Sequence, residues 1–163
     1  MHTQDAIRST FGISHMVLGA YFSDLSDAEL LHRPGAGCNH LAWQLGHLIA
    51  SECSLLEMIC PGAAIKLPDG FAERHSKDAK DVDDPSKFES KATYAALLEQ
   101  VKNASLDALG KLSDSELDKP GPEMFASMCP TVGSMFVLIA THPLMHAGQF
   151  VPVRRALGKP VVI

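Results

Sequence analysis

Basic residues are few in this sequence. Lysine and arginine number 14 in 163 residues against 19 aspartates and glutamates, so the net charge is −5. The longest basic run is the pair Arg154-Arg155. Because nucleic-acid binding needs a basic face for the phosphates, this charge balance argues against a nucleic-acid partner.

Long apolar runs and paired cysteine motifs are absent as well. The first ten residues, MHTQDAIRST, lack the apolar core of a signal peptide, and no apolar run approaches the ~20 residues of a membrane span. No CxxC pair occurs, which excludes a zinc knuckle or a thioredoxin-type motif. The favoured interpretation of the cysteines is that they act as small hydrophobic side chains in a reducing compartment. They are Cys38, Cys53, Cys60 and Cys129. We therefore expect a cytoplasmic protein without a membrane partner.

Four stretches have the spacing of apolar residues that is typical of helices. Pro61-Gly62 ends the second stretch, Gly158 and Pro160 end the fourth, and Asn39 is the expected N-cap of the second. No segment alternates as a strand would. We predict an all-α fold, a four-helix bundle formed by a single domain over residues 1–163. The predicted helices run from about Thr3 to Phe22, Asn39 to Cys60, Pro85 to Leu112, and Pro130 to Leu157.

Residues 61–84 form a long connection between the second and third predicted helices. This segment is polar, contains turn residues and carries charge of both signs. A connection of this length can span the bundle or cover a site, so it need not be disordered.

A faint internal repeat precedes the second and fourth predicted helices, both of which contain histidines. Residues 25–30 read LSDAEL and residues 112–117 read LSDSEL, and each is followed by a basic residue and Pro-Gly. Ser-Asp-x-Glu is a common capping box, and its recurrence alone is a sufficient explanation. Matched positions before matched helices favour a second interpretation, two helical hairpins related by an approximate two-fold arrangement.

His142 and His146 lie four residues apart, as ligands on one face of a helix do. A third imidazole from a facing helix would complete a three-nitrogen site with open positions for water or substrate, as in catalytic zinc sites. His47 in the second helix is a candidate, although a single histidine on a buried helix is more often a core residue. The HExxH motif is excluded, because position 143 is proline instead of glutamate.

Pro143 allows two conformations of the fourth helix. One is a kinked but continuous helix, in which the carbonyl of Ile139 needs another partner. The other is a break, with a new helix beginning at Pro143, and His142 then leaves the shared face. Apolar residues keep helical spacing from Val132 to Val153, which favours the kink.

Several neighbours of the histidines allow more than one role. Trp43 either packs in the core or forms a pocket wall, and His40 is expected at a pocket or its rim instead of at the ion. Gln149 either orients a ligand or covers the surface. Arg154 and Arg155 fit a solvated pair that interacts with the helix dipole.

Two segments carry a family resemblance. LAWQLGHLIASE and HPLMHAGQFVPVRRALGKP resemble the signature segments of the DinB-like superfamily, the DinB/YfiT group of bacterial metalloproteins. The resemblance implies a four-helix bundle that holds a divalent metal ion through His47, His142 and His146. It also implies a homodimer. Members of the superfamily include metal-dependent thiol transferases and related isomerases that act with low-molecular-weight thiols. Pro143 and Pro152 depart from the pattern and concern the straightness of the fourth helix.

The expected function is that of a metal-dependent enzyme. One divalent ion, with zinc favoured and nickel or iron as alternatives, would activate a thiol or water for transfer, isomerisation or hydrolysis. The substrate would be a small molecule, with a low-molecular-weight thiol as one possibility, and no catalytic side chain is assigned. A non-catalytic metal-binding or stress-response bundle is the alternative. A bundle whose histidines bind no metal at all is the third interpretation.

Overall fold

Four long helices and three short ones make up the part of the chain that the computed structural model describes, residues 2–162. Within this range no strand forms, and a single isolated bridge joins Pro120 to Thr131. The prediction of an all-α four-helix bundle is confirmed. The helices are α1 Thr3–Phe22, α2 Asp27–Leu30, α3 Leu41–Ile59, α4 Phe71–Arg74, α5 Lys91–Gly110, α6 Asp114–Leu117 and α7 Val132–Ala156. Short 3-10 turns lie at Lys77–Ala79, Pro85–Lys87 and Glu123–Phe125.

The four long helices pack around two apolar clusters. Helix α7 lies against α1 and α3, and α3 also contacts α5. One cluster surrounds Leu45 and Ile49, and the other surrounds Phe11 and Phe136. Each fully buried side chain of this size contributes about 1.5–3 kcal/mol of transfer free energy. Helix α3 lies at the centre of these contacts, so its side chains reach both neighbouring helices.

Two helix starts differ from the sequence expectation. His40, not Asn39, is the N-cap of α3, because its Nδ1 accepts a hydrogen bond of 3.0 Å from the Trp43 amide. Helix α5 begins at Lys91 and not near Pro85. Pro85 instead opens a 3-10 turn capped by Asp84, and a new cap at Ser90 then starts α5.

The internal repeat forms two short helices of the same kind. In α2 the Ser26 amide donates to Glu29 (2.7 Å), and in α6 the Ser113 amide donates to Glu116 (2.8 Å). Both motifs are therefore capping boxes. Each short helix also precedes a histidine-bearing long helix, α3 or α7, as the two-hairpin interpretation expects.

Helix α7 is continuous through both of its prolines. The alternative of a break at Pro143 is therefore wrong. Thr131 caps the helix, Pro143 is buried on the inner face, and the Thr141 hydroxyl donates to the Val137 carbonyl one turn earlier (2.8 Å). His142 consequently stays on the helix that carries His146.

Length and composition would also allow α7 to cross a membrane. Core helices of bundles meet the same criteria. The inner face of α7 is buried against α1 and α3 in this fold, so packing within the bundle accounts for its apolar character.

Arg154 is buried, which corrects the expectation of a solvated arginine pair. Its guanidinium is 1% exposed and donates to the Tyr21 carbonyl (2.9 Å), to Asp24 (2.6 and 3.2 Å) and to the Pro160 carbonyl (2.7 Å). The hydrogen bonds from Arg154 to the Asp24 carboxylate lower the pKa of Asp24. Arg154 joins the end of α7 to the end of α1, whereas Arg155 is exposed as expected.

The long connection is anchored to the start of α3. Arg33 donates to the carbonyls of Lys80 (2.9 Å) and Val82 (3.3 Å) and pairs with Asp83 (2.7 Å). His40 donates from Nε2 to the same Val82 carbonyl (3.0 Å). The connection is therefore held against one side of the bundle at the start of α3.

A buried polar cluster joins α1, α3 and α5. The Ser105 hydroxyl donates to Glu52 Oε1 (2.7 Å), and the other carboxylate oxygen lies 3.9 Å from His15 Nε2. That nitrogen has no hydrogen-bond partner within the described chain. Burial raises the pKa of Glu52 to about 7 and lowers the pKa of His15 to about 4.

Candidate metal centre

Three imidazoles meet between α3 and α7. His47 comes from α3, and His142 and His146 come from successive turns of α7. One nitrogen of each ring lies within 4.8 Å of the other two, and the ring centroids are 5.0 to 5.6 Å apart. The structure thus brings together the three histidines that the sequence suggested as ligands. Three imidazoles from protein side chains are the ligand set of catalytic zinc sites such as that of carbonic anhydrase.

The three rings are uncharged near neutral pH. Burial, followed by the neighbouring imidazoles, lowers the pKa of His142 to about 4 and of His146 to about 3. Burial and then the charge of Lys77 lower the pKa of His47. Neutral imidazoles have free lone pairs, which is the form that binds metal ions. The donor set therefore fits a divalent ion of the zinc, nickel or iron type.

Gln44 determines the orientation of His146. The His146 Nδ1 donates to Gln44 Oε1 (3.0 Å), and the Gln44 amide donates in turn to the Asn39 carbonyl (3.0 Å). The second bond fixes which amide atom faces His146. Nε2 of His146 is left as the metal-binding nitrogen, in the arrangement common for ligand histidines. Sequence reasoning did not assign this role, although a glutamine on a nearly all-apolar helix, three residues before His47, was a usable signal.

Trp43 packs directly on His47. The two rings are stacked with centroids 4.9 Å apart and planes inclined by 6°, and the indole nitrogen donates to the Ser76 carbonyl (2.9 Å). Trp43 is 4% exposed, so it is a core residue that also restricts the His47 ring. Ser51 lies on the other side, with its hydroxyl 3.5 Å from His47 Nε2.

His75 packs on the backbone next to His47. Its Nδ1 donates to the Phe71 carbonyl and its Nε2 accepts from the Tyr94 hydroxyl, both at 2.8 Å. The ring occupies the space above Gly46, where an added Cβ would lie 2.0 Å from the imidazole. The long connection is therefore in contact with α3 one residue before His47.

The other polar candidates do not join the three histidines. His40 is wholly buried as the N-cap of α3, and its ring meets Phe88 edge-on with the centroids 4.5 Å apart. It therefore does not line the site, contrary to the expectation that it lies at a pocket or its rim. Gln149 is exposed and borders a cavity of about 310 Å³ that also includes Gln44. Its position agrees with the surface role.

An open groove of about 460 Å³ lies beside His47. Helix α3 forms its floor, the long connection forms one wall, and Phe125 contributes from the α6–α7 connection. A small molecule in this groove would lie next to one ligand of the candidate metal centre. The side chains of interest in its lining are His47, Ser51, Met58, Ser76, Lys77 and Phe125.

Together, the fold and the site define a four-helix bundle with a candidate mononuclear three-histidine metal centre. The family model of the DinB superfamily matches residues 11–150, and the chain belongs to this superfamily. The fold is similar to that of YfiT from Bacillus subtilis, described as a probable metal-dependent hydrolase with an unusual four-helix bundle topology. The TM-score is 0.65 at 20% identity, over 96% of this chain and 89% of that one. No curated protein matches the sequence.

Proposed function

We propose that this protein is a metal-dependent enzyme whose divalent ion is held by His47, His142 and His146. The observation that carries this proposal is the convergence of three neutral imidazoles, one of them oriented by Gln44, beside an open groove. When bound, such an ion lowers the pKa of a coordinated water or thiol and provides a nucleophile near neutral pH. Zinc is the favoured ion, and nickel and iron suit the same three nitrogens.

Two kinds of nucleophile fit the site. The likeness to YfiT supports hydrolysis, in which water is activated. The groove lining, as far as the structure describes it, offers hydroxyls and one lysine but no carboxylate that would serve as a general base. A thiol with a pKa of about 8.5 needs less assistance than water at about 15.7. This supports thiol transfer or isomerisation with a low-molecular-weight thiol as the second form of the proposal.

A non-catalytic metal-binding or stress-response bundle is the competing function. Structural zinc sites are normally closed by four protein ligands. The group found among residues 2–162 contains three, which favours an open catalytic position. Cobalt substitution distinguishes the two, because three protein nitrogens with an exchangeable water support the enzyme and four protein ligands support the structural role.

Metal analysis tests the ligand set directly. We expect purified protein to retain about one equivalent of divalent metal per chain and His47→Ala to lose it, because two imidazoles bind far more weakly than three. His32→Ala is the matched control, since His32 lies outside the three-histidine group. Unchanged metal content in His47→Ala, measured by elemental analysis on folded protein, would refute the assignment.

The assembly and location are part of the same proposal. Helices α1 and α7 pack together and leave apolar side chains exposed, which supports a homodimer through this face: Ile13, Met16, Val137, Leu144 and Met145. Light scattering should then give twice the 17.5 kDa mass of the chain.

All four cysteines are free thiols, which supports the reducing cytoplasm as the compartment.

A further inference from the structure

The groove beside His47 has an uneven distribution of charge. Lys77, in the 3-10 turn Lys77–Ala79, is the one lysine or arginine among its described lining residues, and no aspartate or glutamate lines it. Within residues 2–162, Lys77 forms no ion pair. The chain as a whole carries a net charge of −5. A local positive charge in an acidic protein therefore lies beside the candidate metal centre, which would itself add positive charge.

The groove is apolar away from Lys77. Leu55 and Met58 from α3 line it, together with Phe125 from the opposite wall. Met58 is 45% exposed, so apolar surface is available to a ligand without rearrangement of the core. Small-molecule sites have this composition, with a mostly apolar lining and a few polar groups that set orientation, and the volume of about 460 Å³ lies in their range.

The lysine and its wall are held in place by the contacts of the long connection. The Ser76 carbonyl, one residue before Lys77, accepts the Trp43 indole N–H (2.9 Å), and His75 is fixed at both ring nitrogens. Trp43 in turn stacks on His47. The backbone that carries Lys77 is thus linked through the Trp43 ring to the His47 imidazole, which maintains the distance between Lys77 and the site.

We infer that the substrate is a small amphiphilic anion, with a carboxylate or similar group paired with Lys77 and an apolar portion against Leu55, Met58 and Phe125. Its reacting group then faces His47. This inference rests on the proposed function, because it names the substrate class for the same site. An anion in the groove pairs favourably with Lys77, because no carboxylate of the lining competes for the ammonium group.

Three probes of equal chain length test the inference: 6-mercaptohexanoate, 6-mercaptohexanol and 6-aminohexanethiol. Each is titrated into cobalt-loaded protein, where a thiolate–cobalt charge-transfer band reports binding at the metal. Each is also titrated into metal-free protein, with the fluorescence of Trp43, the single tryptophan, as the readout. We expect the acid to bind about three- to tenfold more tightly than the alcohol, and the amine to bind most weakly.

Lys77→Met should remove the preference for the acid, whereas Lys80→Met should retain it, because Lys80 belongs to the same connection but does not line the groove. Equal binding of acid and alcohol by the unmodified protein overturns the inference, and so does a preference that survives Lys77→Met. If cobalt does not bind, the proposed function fails, and the fluorescence titration still decides whether the groove prefers anions.

Discussion

His146 is held by a chain of two hydrogen bonds that starts at the N-terminal end of α3. Its Nδ1 donates to Gln44, and Gln44 donates to the Asn39 carbonyl. The imidazole is therefore fixed in one tautomer before any ion binds. A ligand that is already oriented loses less conformational freedom on binding, so Gln44 would contribute to the affinity for an ion at the proposed site without touching that ion.

Gln44→Leu tests this contribution. The variant removes the acceptor for His146 Nδ1 while keeping a side chain of similar size, and we expect metal affinity to fall roughly 10- to 100-fold. Competition with a chelator of known affinity measures the change, and circular dichroism checks the fold. Gln149→Leu, on the exposed side of α7, should bind metal as the unmodified protein does. Equal affinities of the two variants would contradict the role of Gln44.

The convergence of the three histidines could be predicted from spacing and family resemblance, because the i,i+4 spacing of His142 and His146 on one helix needs no knowledge of the fold. The burial of Arg154 and the pairing of Glu52 could not. Both depend on how far each helix is rotated about its axis, and apolar periodicity does not define that rotation well for helices that are apolar on most sides.

Among the elements, α3 and the long connection act as one unit. The His75 ring lies against Gly46, and the Trp43 indole bonds to Ser76. Both contacts are made by residues of the helical turn that directly precedes His47. Position 46 accepts glycine alone in this arrangement, since the imidazole that would meet a Cβ is fixed at both nitrogens.

Gly46→Ala should therefore destabilise the protein, although alanine normally favours a helix. We expect the free energy of unfolding to fall by about 1–3 kcal/mol, because the overlap with His75 outweighs a propensity gain of at most about 1 kcal/mol. Gly12→Ala in α1 is the control, where no atom lies within 4 Å of an added Cβ, and it should stabilise. Urea unfolding of both variants gives the comparison. Stabilisation by both would show that His75 yields without strain.

The four long helices and the continuity of α7 could be predicted, because apolar residues recur at helical spacing through Pro143. The start of α5 and the course of residues 61–84 could not. These depend on contacts between residues that are distant in sequence, such as the hydrogen bond from Arg33 to the Val82 carbonyl. The local sequence does not indicate which residues form such contacts.

At the scale of the whole molecule, a buried carboxyl links three of the four long helices. Glu52 of α3 accepts from Ser105 of α5 and lies near His15 of α1. Burial raises the pKa of Glu52 to about 7 from an ordinary value of 4.5. Between these two pH values the folded chain retains a proton that the unfolded chain has lost, so stability falls as pH rises across this window.

Glu52→Gln should remove that pH dependence. Glutamine does not ionise, so the stability of the variant relative to the unmodified protein should increase by roughly 3 kcal/mol between pH 4.5 and pH 8. The lowered pKa of His15 acts with the opposite sign and is present in both proteins. Thermal unfolding over this pH range provides the measurement.

Glu99→Gln is the control for this prediction. A hydrogen bond from Lys102 lowers the pKa of Glu99 below its ordinary value of 4.5, so its effect on stability is confined to lower pH, and Glu99→Gln should show no comparable change between pH 4.5 and pH 8. A relative stability of Glu52→Gln that stays constant from pH 4.5 to pH 8 would mean that the pKa of Glu52 is not raised in the folded protein.

The two ends of the groove differ in how much change they tolerate. Near His47, Gly46 and Trp43 are locked by the connection, and few substitutions are compatible with the fold. Met58 and Ser54 are exposed at the other end. Replacements at the open end can therefore change what the groove accepts among descendants of this protein, while the arrangement of the three histidines is inherited unchanged.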